Sequence, residues 1–527
     1  MRLSSSSTLL AVSFLLQQQQ QPLSFDDLRN AGTYPAVKQV AIIGAGAAGS
    51  SAAYHLRRFA AESSIAVNIT IYDSNPYIGG RSTTVHPFDS PSQPPLELGA
   101  SIFVQVNQIL VNATREFNLS TESMMVDLVN NDDVPDLGVY DGTRIVLVQA
   151  SDSYWDLAKL VWKYGLAPWR TIRLMRETVG KFLQMYSAPI FPFADLTAAV
   201  AQTGLADILA VTGDVFLGIG GISPEFSHDV IQASTRVNYA QNLDVIHGLE
   251  TMVCMATDGA MSIDGGNWRI FAGMVEASGA VRALGTKVHA VRRIDQGRLE
   301  VEAGPTARDD VPGDNWTATF DHVVLAAPMQ FTGIEWPSDV HRPDVIPYVQ
   351  LHVTLFTSPH DLEPTAFGLA ENAKVPRALL TTTPAEGMPG PDFLSISLLR
   401  DVVNPITGGM EHAYKIFTLQ PVNATFIRRI LGIRGAGEDI PKVEVGWIHR
   451  KVWHSYPLEL PRVTFESTRL ARDLWYTAGM ESFISTMETS SLMGMNVARL
   501  VVDEWIGGAG AADRFHCLLK ARLRSCS

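Results

Sequence analysis

Cysteine is scarce in this sequence, with three residues at positions 254, 517 and 526 in a chain of 527. So few cysteines exclude a scaffold built on disulfides, and none of them lies at a spacing typical of metal ligands. We therefore predict no metal site. Cys517 and Cys526 are close enough in sequence to pair, which would leave Cys254 free.

Long runs of basic residues and of apolar residues are also missing. Lys and Arg number 41 against 54 Asp and Glu, which gives a formal net charge of −13. Because nucleic acids and anionic membrane surfaces are bound chiefly through basic patches, we expect neither as a partner. No stretch of 18 or more apolar residues is present, so we expect no transmembrane anchor.

The first residues have the pattern of a secretory signal. Arg2 precedes an apolar stretch over residues 8–16, which is too short to span a bilayer, and we assign residues 1–24 to a signal peptide. Five Asn-x-Ser/Thr triplets support the same route, at Asn68, Asn112, Asn118, Asn315 and Asn423. We expect an N-glycosylated protein of the secretory pathway, either secreted or held in a lysosome or vacuole.

The strongest pattern in the chain is a dinucleotide fingerprint. An apolar run over residues 40–43 predicts a buried parallel strand, and Gly44, Gly46 and Gly49 follow it directly. Gly44 permits the tight turn, Gly46 lets the backbone approach a pyrophosphate, and Gly49 lets helix and strand pack closely. Ala47 and Ala48 open the helix whose free N–H groups face the phosphates.

The acid expected after the fingerprint is Asp73. It ends a second predicted strand, residues 67–73, and lies 24 residues after Gly49, close to the ~20 expected for a carboxylate that binds ribose. An Asp at a strand end can equally cap a turn. Strand, glycines, helix, strand and acid in this order predict a Rossmann-type domain.

The segment after Asp73 selects the dinucleotide. Gly79, Gly80 and Arg81 resemble the continuation found in FAD enzymes of the amine oxidase and glutathione reductase type, where the arginine can meet the phosphates. Arg81 can also form a surface ion pair. Later segments are expected to return to FAD, and their candidate contacts are Ala100, Ser101, Val288, Ala327, Glu481 and Glu488. Glu481 and Glu488 can equally be acids favoured at a helix N-terminus by its dipole.

No second fingerprint follows a strand, so we expect no NAD(P)H domain. The reduced flavin would be reoxidised by molecular oxygen or by another acceptor, and an oxidase that uses oxygen is the simplest interpretation. A chain of this length favours two domains. We predict an α/β fold in which a Rossmann-type FAD-binding domain is interleaved with an α+β substrate domain. The segments are 36–119, 246–330 and 456–510 for FAD binding, 120–245 and 331–455 for the substrate domain, and 511–527 for a C-terminal tail.

Beyond these generic motifs the chain resembles the prenylcysteine oxidase family. The stretches that carry the resemblance are residues 44–54, 78–81, 138–142, 235–239, 262–267, 351–355 and 475–488. The resemblance implies a flavoprotein that converts farnesyl- or geranylgeranyl-cysteine, oxygen and water to the prenyl aldehyde, cysteine and hydrogen peroxide. It also implies hydride loss from the allylic carbon next to sulfur, followed by water addition.

A lipophilic substrate needs an apolar pocket, and one segment is rich in suitable side chains. These are Trp155, Trp162, Trp169, Phe182, Met185, Tyr186, Phe191 and Phe193, which at helical spacing can equally be plain core. Catalytic residues are not evident. Weak candidates are His352 and His454, which can assist water addition, and Arg236, which can pair with the cysteine carboxylate, with the flavin, or across a domain interface.

Some positions depart from the family pattern, which leaves the substrate open. Ala240 stands where glycine is usual, and the turn at residues 97–101 has fewer glycines. One alternative is an oxidase of the same fold that acts on another prenylated or lipophilic metabolite, as in natural-product biosynthesis. Another is a secreted binding module without catalysis, against which the complete fingerprint argues.

Overall fold

In the computed structural model, the first elements follow the sequence pattern closely. Strand β1 (Lys38–Ile43), helix α1 (Ala47–Glu62) and strand β2 (Val67–Asp73) form the predicted strand–helix–strand unit. The structure describes residues 37–123, 134–149, 161–294, 297–306, 314–384 and 386–524, with side chains up to residue 507. The signal peptide, Trp155 and Cys526 therefore lie outside the described residues.

The remaining elements are numbered along the chain. The strands are β3 (Thr84–Val85), β4 (Leu96–Glu97), β5 (Thr121–Ser123), β6 (Leu137–Tyr140), β7 (Ile145–Gln149), β8 (Met261–Ile263), β9 (Val281–Leu284), β10 (Thr286–Arg293), β11 (Leu299–Pro305), β12 (Trp316–Phe320), β13 (His322–Leu325), β14 (Tyr348–Ser358), β15 (Ala378–Thr381), β16 (Ser395–Val403), β17 (Met410–Thr418), β18 (Trp447–Pro457), β19 (Arg469–Ala471) and β20 (Leu474–Tyr476). The helices are α2 (Gln108–Glu116), α3 (Ala167–Phe182), α4 (Leu196–Thr203), α5 (Ala206–Leu209), α6 (Gly213–Ile219), α7 (Pro224–Phe226), α8 (Gln232–Tyr239), α9 (Gly248–Met255), α10 (Trp268–Ser278), α11 (Ala424–Leu431) and α12 (Met487–Arg524).

The nucleotide-binding layer is a six-stranded sheet with the order β19-β20-β13-β1-β2-β9. β1 pairs in parallel with β2 and β13, as in doubly wound folds. Its strands come from all three segments that the sequence assigns to FAD binding, although the division into domains stays a prediction. Helix α12 covers α1 so closely that a Cβ at Gly494 would lie 2.1 Å from the Ala48 carbonyl oxygen.

A second, antiparallel sheet has three strands in the order β10-β11-β12, which follow β9 directly in the sequence. The sequence alternates in two neighbouring stretches, residues 286–294 and 298–302, which predicts a hairpin, and β10 pairs antiparallel with β11. The apolar run before Ala327 predicts a buried strand, and it forms β13, all four residues of which are buried. Both patterns are local, so neighbouring residues are enough to define these elements.

The second large sheet has seven strands in the order β18-β14-β17-β16-β15-β6-β7. Its two faces bury different apolar clusters. One cluster contains Leu351, Val353 and Leu355 together with Leu96 and Leu98, at the start of the turn over residues 97–101 that the sequence predicts near the flavin (the predicted flavin turn). The other contains Phe356, Tyr414 and Ile416. Residue parity along β14 and β17 therefore decides which side chains face the predicted flavin turn.

Helices α3 to α9 fill most of residues 167–255. Most of their buried apolar side chains belong to one large cluster, which we call the main core. Among the described residues, none of the helices combines the length and the apolar character that a bilayer crossing needs.

Candidate cofactor and substrate site

The glycine loop has the geometry that the fingerprint predicts. Gly44 has a φ of +111°, and its N–H donates to the Tyr72 carbonyl oxygen at 2.7 Å. A Cβ at Gly49 would lie 1.8 Å from the Gly44 carbonyl oxygen, so α1 can approach the loop this closely only with glycine there. Ala326, next to the predicted contact Ala327, packs against both glycines.

A groove lined by backbone lies between the two glycine loops. Gly46 and Gly79 form an isolated bridge, and a Cβ at Gly80 would lie 3.3 Å from the Gly46 Cα. A Cβ at Gly46 would meet nothing nearer than 3.9 Å, so a side chain there would enter the groove. No side chain caps the N-terminus of α1 and no acid lies in its first turn. Open N–H groups facing a space without side chains fit a dinucleotide pyrophosphate.

The Asp73 carboxylate lies beside the first glycine loop and hydrogen-bonds to that loop and to the turn that follows β2. One carboxylate oxygen accepts the Ala45 N–H at 2.8 Å, and the other accepts the backbone and side-chain N–H groups of Asn75 at 2.8 and 3.0 Å. Burial raises the pKa of Asp73, and these hydrogen bonds oppose the rise. Oxygen Oδ2, which accepts the Ala45 N–H, keeps a second acceptor position for a ribose hydroxyl.

Arg81 is held by protein groups. Its guanidinium pairs with Glu481 at 2.7 Å and donates to the Ser455 carbonyl oxygen, while the Tyr348 hydroxyl donates to Glu481 at 3.1 Å. This is not the surface ion pair that the sequence analysis allowed for Arg81, because the partner Glu481 is buried. Protein partners therefore engage both side chains, and the cofactor roles suggested for Arg81 and Glu481 stay predictions.

The predicted flavin turn is braced by Asn267. Its backbone N–H donates to Glu97 at 2.6 Å and its side-chain amide donates to the Ala100 carbonyl oxygen at 3.1 Å. Gly265 and Gly266, with φ values of +80° and +110°, bring Asn267 to this position at the start of α10. The Gly-Gly-Asn stretch of the family pattern therefore orders the turn that contains Ala100 and Ser101.

Lys415 is a buried cation at the same turn, and sequence reasoning missed it. Its Nζ donates to the Ser101 hydroxyl at 2.9 Å. Burial lowers the pKa of Lys415 to about 8, and the negative charge of Glu97 opposes that shift. Burial likewise raises the pKa of Glu97 to about 7. The available signal was a single lysine between the apolar residues Tyr414 and Ile416 of strand β17.

Glu488 caps another helix. Its carboxylate accepts the N–H groups of Ile109 and Leu110, at 2.9 and 3.0 Å, in the first turn of α2. The Tyr186 hydroxyl also donates to it, at 2.7 Å. Burial raises the pKa of Glu488 to about 7 against these hydrogen bonds. Its partners explain Glu488 as a structural acid, and the cofactor contact suggested for it stays a prediction.

The two histidine candidates lie away from the flavin turn. His352 is on β14, and its cross-strand partners are Thr418 and Val452, while His454 pairs with Gln350. Lys415 pairs instead with Leu355, which belongs to the opposite face. His454 stacks on Phe331 with ring centroids 4.3 Å apart. The structure therefore brings neither histidine to Ser101. Val288, also a predicted contact, is buried in β10.

Arg236 has neutral partners. Its Nε donates to the Thr381 hydroxyl at 3.0 Å and its Nη1 donates to the Asn242 side chain at 2.8 Å. Within the part of the chain that the structure describes, no carboxylate lies within 4.0 Å of this guanidinium. Burial lowers its pKa to about 10. Three residues further along α8, the Tyr239 hydroxyl donates to the Ser485 carbonyl oxygen just before α12.

The aromatic segment is divided between core and surface. Phe182, Met185 and Phe193 are buried in the main core, whereas Trp162 and Trp169 are exposed. The expectation that these two tryptophans line a dry prenyl pocket is therefore wrong, because their side chains face solvent. Tyr186 is occupied by Glu488, and Phe191 packs partly buried against the same core.

A further polar cluster is formed by His247, Glu250 and Glu459, whose polar atoms lie within 4.8 Å of one another. All three side chains are buried. The Nδ1 of His247 accepts the Glu250 N–H at 3.1 Å, so a neutral imidazole has its proton on Nε2. A protonated Nε2 has no lone pair for a metal ion, and the nearest Glu459 oxygen lies 3.6 Å from it, beyond hydrogen-bond distance.

Comparison with known proteins agrees with this geometry. The model of the NAD(P)-binding Rossmann-like domain matches residues 42–114, and that of the prenylcysteine lyase family matches residues 147–514. Farnesylcysteine lyase from Arabidopsis thaliana is 26% identical over 89% of this chain and 88% of its own. Prenylcysteine oxidase 1 from Mus musculus is 26% identical over 90% and 91%. Among solved structures, cyclohexylamine oxidase from Brevibacterium oxydans IH-35A has a TM-score of 0.53 at 14% identity, covering 89% of this chain and 99% of that one.

The likeness to the amine oxidase shows the fold alone. Together with the nucleotide groove, the fold and the relatives define an FAD-dependent oxidoreductase. Since one family model covers well over half of the sequence, the chain belongs to the prenylcysteine lyase family.

Proposed function

We propose that this enzyme cleaves prenylated cysteine oxidatively, with farnesylcysteine as the first substrate to test. The observation that carries the proposal is the single family match across residues 147–514 behind a complete dinucleotide groove. Relatives named farnesylcysteine lyase and prenylcysteine oxidase favour this substrate over the alternative of another lipophilic metabolite.

Residues of the groove would hold the cofactor. The N-terminus of α1 would face the pyrophosphate, Gly46 and Gly80 would leave room for it, and Asp73 would accept a hydrogen bond from a ribose hydroxyl. FAD, when bound, supplies a two-electron acceptor for the hydride that leaves the allylic carbon beside sulfur. Lys415 places a buried positive charge at Ser101, where it stabilises negative charge on the group bound against that turn.

The proposed overall reaction is balanced with oxygen and water as co-reactants. The carbon–sulfur bond breaks after water adds to the oxidised carbon, so the prenyl part leaves as an aldehyde and cysteine leaves as a thiol. Oxygen takes up two electrons and two protons and leaves as hydrogen peroxide. Arg236, which has no carboxylate partner among the described residues, is the candidate that binds the carboxylate of the amino acid.

The test is an anaerobic titration of the purified, yellow protein with farnesylcysteine. We expect the flavin absorbance to bleach and to return, with hydrogen peroxide, when air is admitted. Free cysteine and farnesal should appear in equal amounts. A flavin spectrum that farnesylcysteine leaves unchanged, but another prenylated compound bleaches, would move the assignment to the alternative substrate class.

We further propose passage through the secretory pathway, with N-glycosylation. Support comes from the apolar stretch at residues 8–16 and from the exposure of all five acceptor asparagines. The test is a gel-mobility comparison before and after enzymatic removal of N-glycans from protein secreted by eukaryotic cells. An unchanged mobility would count against glycosylation.

A further inference from the structure

Apolar side chains are exposed along α3 and the residues just before it. Trp162 is 90% exposed, Leu166 61%, Trp169 49% and Ile172 43%. Trp169 and Ile172 are three residues apart and so lie along one side of α3, whereas Trp162 and Leu166 precede that helix, with Gly165 at a positive φ of +59° between them. The opposite side contains the buried residues Thr171, Met175 and Thr178, which face the main core. This helix is therefore apolar toward solvent as well as at its buried face.

Helix α6 enlarges the exposed surface. Val215 is 47% exposed and Ile219 is 76% exposed. The end of α6 lies against α3, because Arg170 donates to the Gly221 carbonyl oxygen at 2.7 Å and a Cβ at Gly220 would lie 2.7 Å from Leu174. We call the surface formed by Trp162, Leu166, Trp169, Ile172, Val215 and Ile219 the apolar face. Several large apolar side chains grouped on a protein surface mark an interaction site.

Basic side chains surround the apolar face. Residues 161–181 include five basic residues, Lys163, Arg170, Arg173, Arg176 and Lys181, and one acidic residue, Glu177. Lys163 pairs with Asp229 and Arg173 lies near Glu177. For the other three, no carboxylate within 4.0 Å is found in the described parts of the chain. This local excess of positive charge stands out in a chain with a net charge of −13.

The helix also reaches the site. At its C-terminal end, Phe182 packs against Tyr186 with ring centroids 5.7 Å apart and against Phe483 at 6.3 Å. Phe483 lies in the turn that precedes α12, two residues after Glu481. A single helix therefore extends from the apolar face to the segment that meets Arg81.

We propose that the apolar face docks on the surface of an anionic membrane. Tryptophans with aliphatic neighbours lie at the boundary between headgroups and acyl chains, and surrounding Lys and Arg pair with anionic headgroups. Such a helix lies in the plane of the interface and does not span the bilayer. The sequence analysis expected no anionic membrane partner because no basic run is present, but helical spacing gathers the separate basic residues on one surface.

The test is flotation of the full mature, FAD-loaded protein with lipid vesicles and without substrate. Vesicles of phosphatidylcholine are compared with vesicles that also contain phosphatidylserine. We expect binding to the anionic vesicles that weakens as salt is added. The double variant Trp162→Ser, Trp169→Ser should lose binding to these vesicles by a factor of about ten or more. Trp316→Ser, which removes a tryptophan that is 43% exposed on β12 and outside the apolar face, is the matched control and should bind like the parent protein.

A charge variant tests the second part of the proposal. Arg176→Glu with Lys181→Glu should reduce binding to anionic vesicles and leave the weak binding to phosphatidylcholine vesicles unchanged. The proposal is overturned if the parent protein binds neither vesicle, or if the double tryptophan variant floats as well as the parent. A parent protein that ignores vesicles but dimerises through this face would show that a second copy covers it. None of these outcomes depends on the substrate, so the proposed function is tested separately.

Discussion

Replacing Gly46 by valine is the sharpest test of the nucleotide groove. Gly46 has an extended backbone, with φ −79° and ψ −167°, which a β-branched residue adopts without strain. A Cβ there meets no protein atom closer than 3.9 Å, so the new side chain enters the groove and not the core. We expect a folded protein that has lost FAD. The cost to the apoprotein itself should stay near ~1 kcal/mol, the usual scale for a changed N-cap.

Loss of the cofactor should lower the free energy of unfolding by more than the substitution itself does. A ligand present at about 100 times its Kd stabilises the folded state by about 2.7 kcal/mol, and Gly46→Val should forfeit this contribution. The assays are flavin absorbance per polypeptide and thermal unfolding with and without added FAD. The parent protein should gain stability with FAD, and the variant should not.

Gly49→Ala is the matched comparison at the same loop. Its Cβ would lie 1.8 Å from the Gly44 carbonyl oxygen, so helix and loop must separate. Overpacking of this kind costs about 1–3 kcal/mol or more, and we expect the apoprotein itself to be destabilised. If Gly46→Val purifies with a full complement of flavin, the groove does not bind the pyrophosphate. If both variants lose only flavin, the packing role of Gly49 is refuted.

Three further changes have expected outcomes. Arg236→Gln should raise the KM for farnesylcysteine roughly tenfold to a hundredfold but leave that of its methyl ester unchanged, because a charge-assisted pair is lost only with the acid; equal effects on both would exclude the carboxylate contact. Ala240→Gly should stabilise the protein by about 1 kcal/mol in denaturant unfolding, because Ala240 has a φ of +55°. The control Ala201→Gly, inside α4, should destabilise it by a similar amount. A loss of stability on Ala240→Gly would contradict this reasoning. Glu488→Gln should remove a pH dependence of the free energy of unfolding. Burial raises the pKa of Glu488 from 4.5 to about 7, so the folded state binds the proton more tightly than the unfolded state does. The parent protein therefore loses on the order of 3 kcal/mol of stability as the pH rises between these two values. Thermal unfolding across that range should fall for the parent and stay flatter for the variant, and parallel curves would show that Glu488 does not titrate as its burial implies.

Most of the nucleotide-binding layer was predictable because its determinants are local. The bounds of β2 agree with the predicted residues 67–73, and Gly44 has the positive φ that its turn needs. Ala240 was noted in the sequence as an unusual replacement of glycine, and its left-handed backbone gives the physical reason. In each case neighbouring residues define both the pattern and the conformation.

The partners of the polar side chains were not predictable, because they come from distant segments. Arg81 meets Glu481, 400 residues away, and Lys415 meets Ser101, 314 residues away. Glu488 caps a helix through the N–H of Ile109, 379 residues earlier. Sequence spacing has no information about such contacts, which depend on how sheets and helices stack. The same limit hid the basic residues around the apolar face, whose grouping requires a helix.

The close packing of α12 on α1 has a consequence for biosynthesis. The Ser51 hydroxyl donates to the Ser491 carbonyl oxygen, a contact between residues 440 positions apart. At about 5–20 residues per second, a ribosome needs roughly 20–90 s to make the chain between them. During that time β1 gains its neighbour β13 only after residue 325 has been made, and α1 gains its cover from α12 only at the end. The nascent chain must therefore be kept from aggregating, and the cofactor groove is completed only near the end of translation.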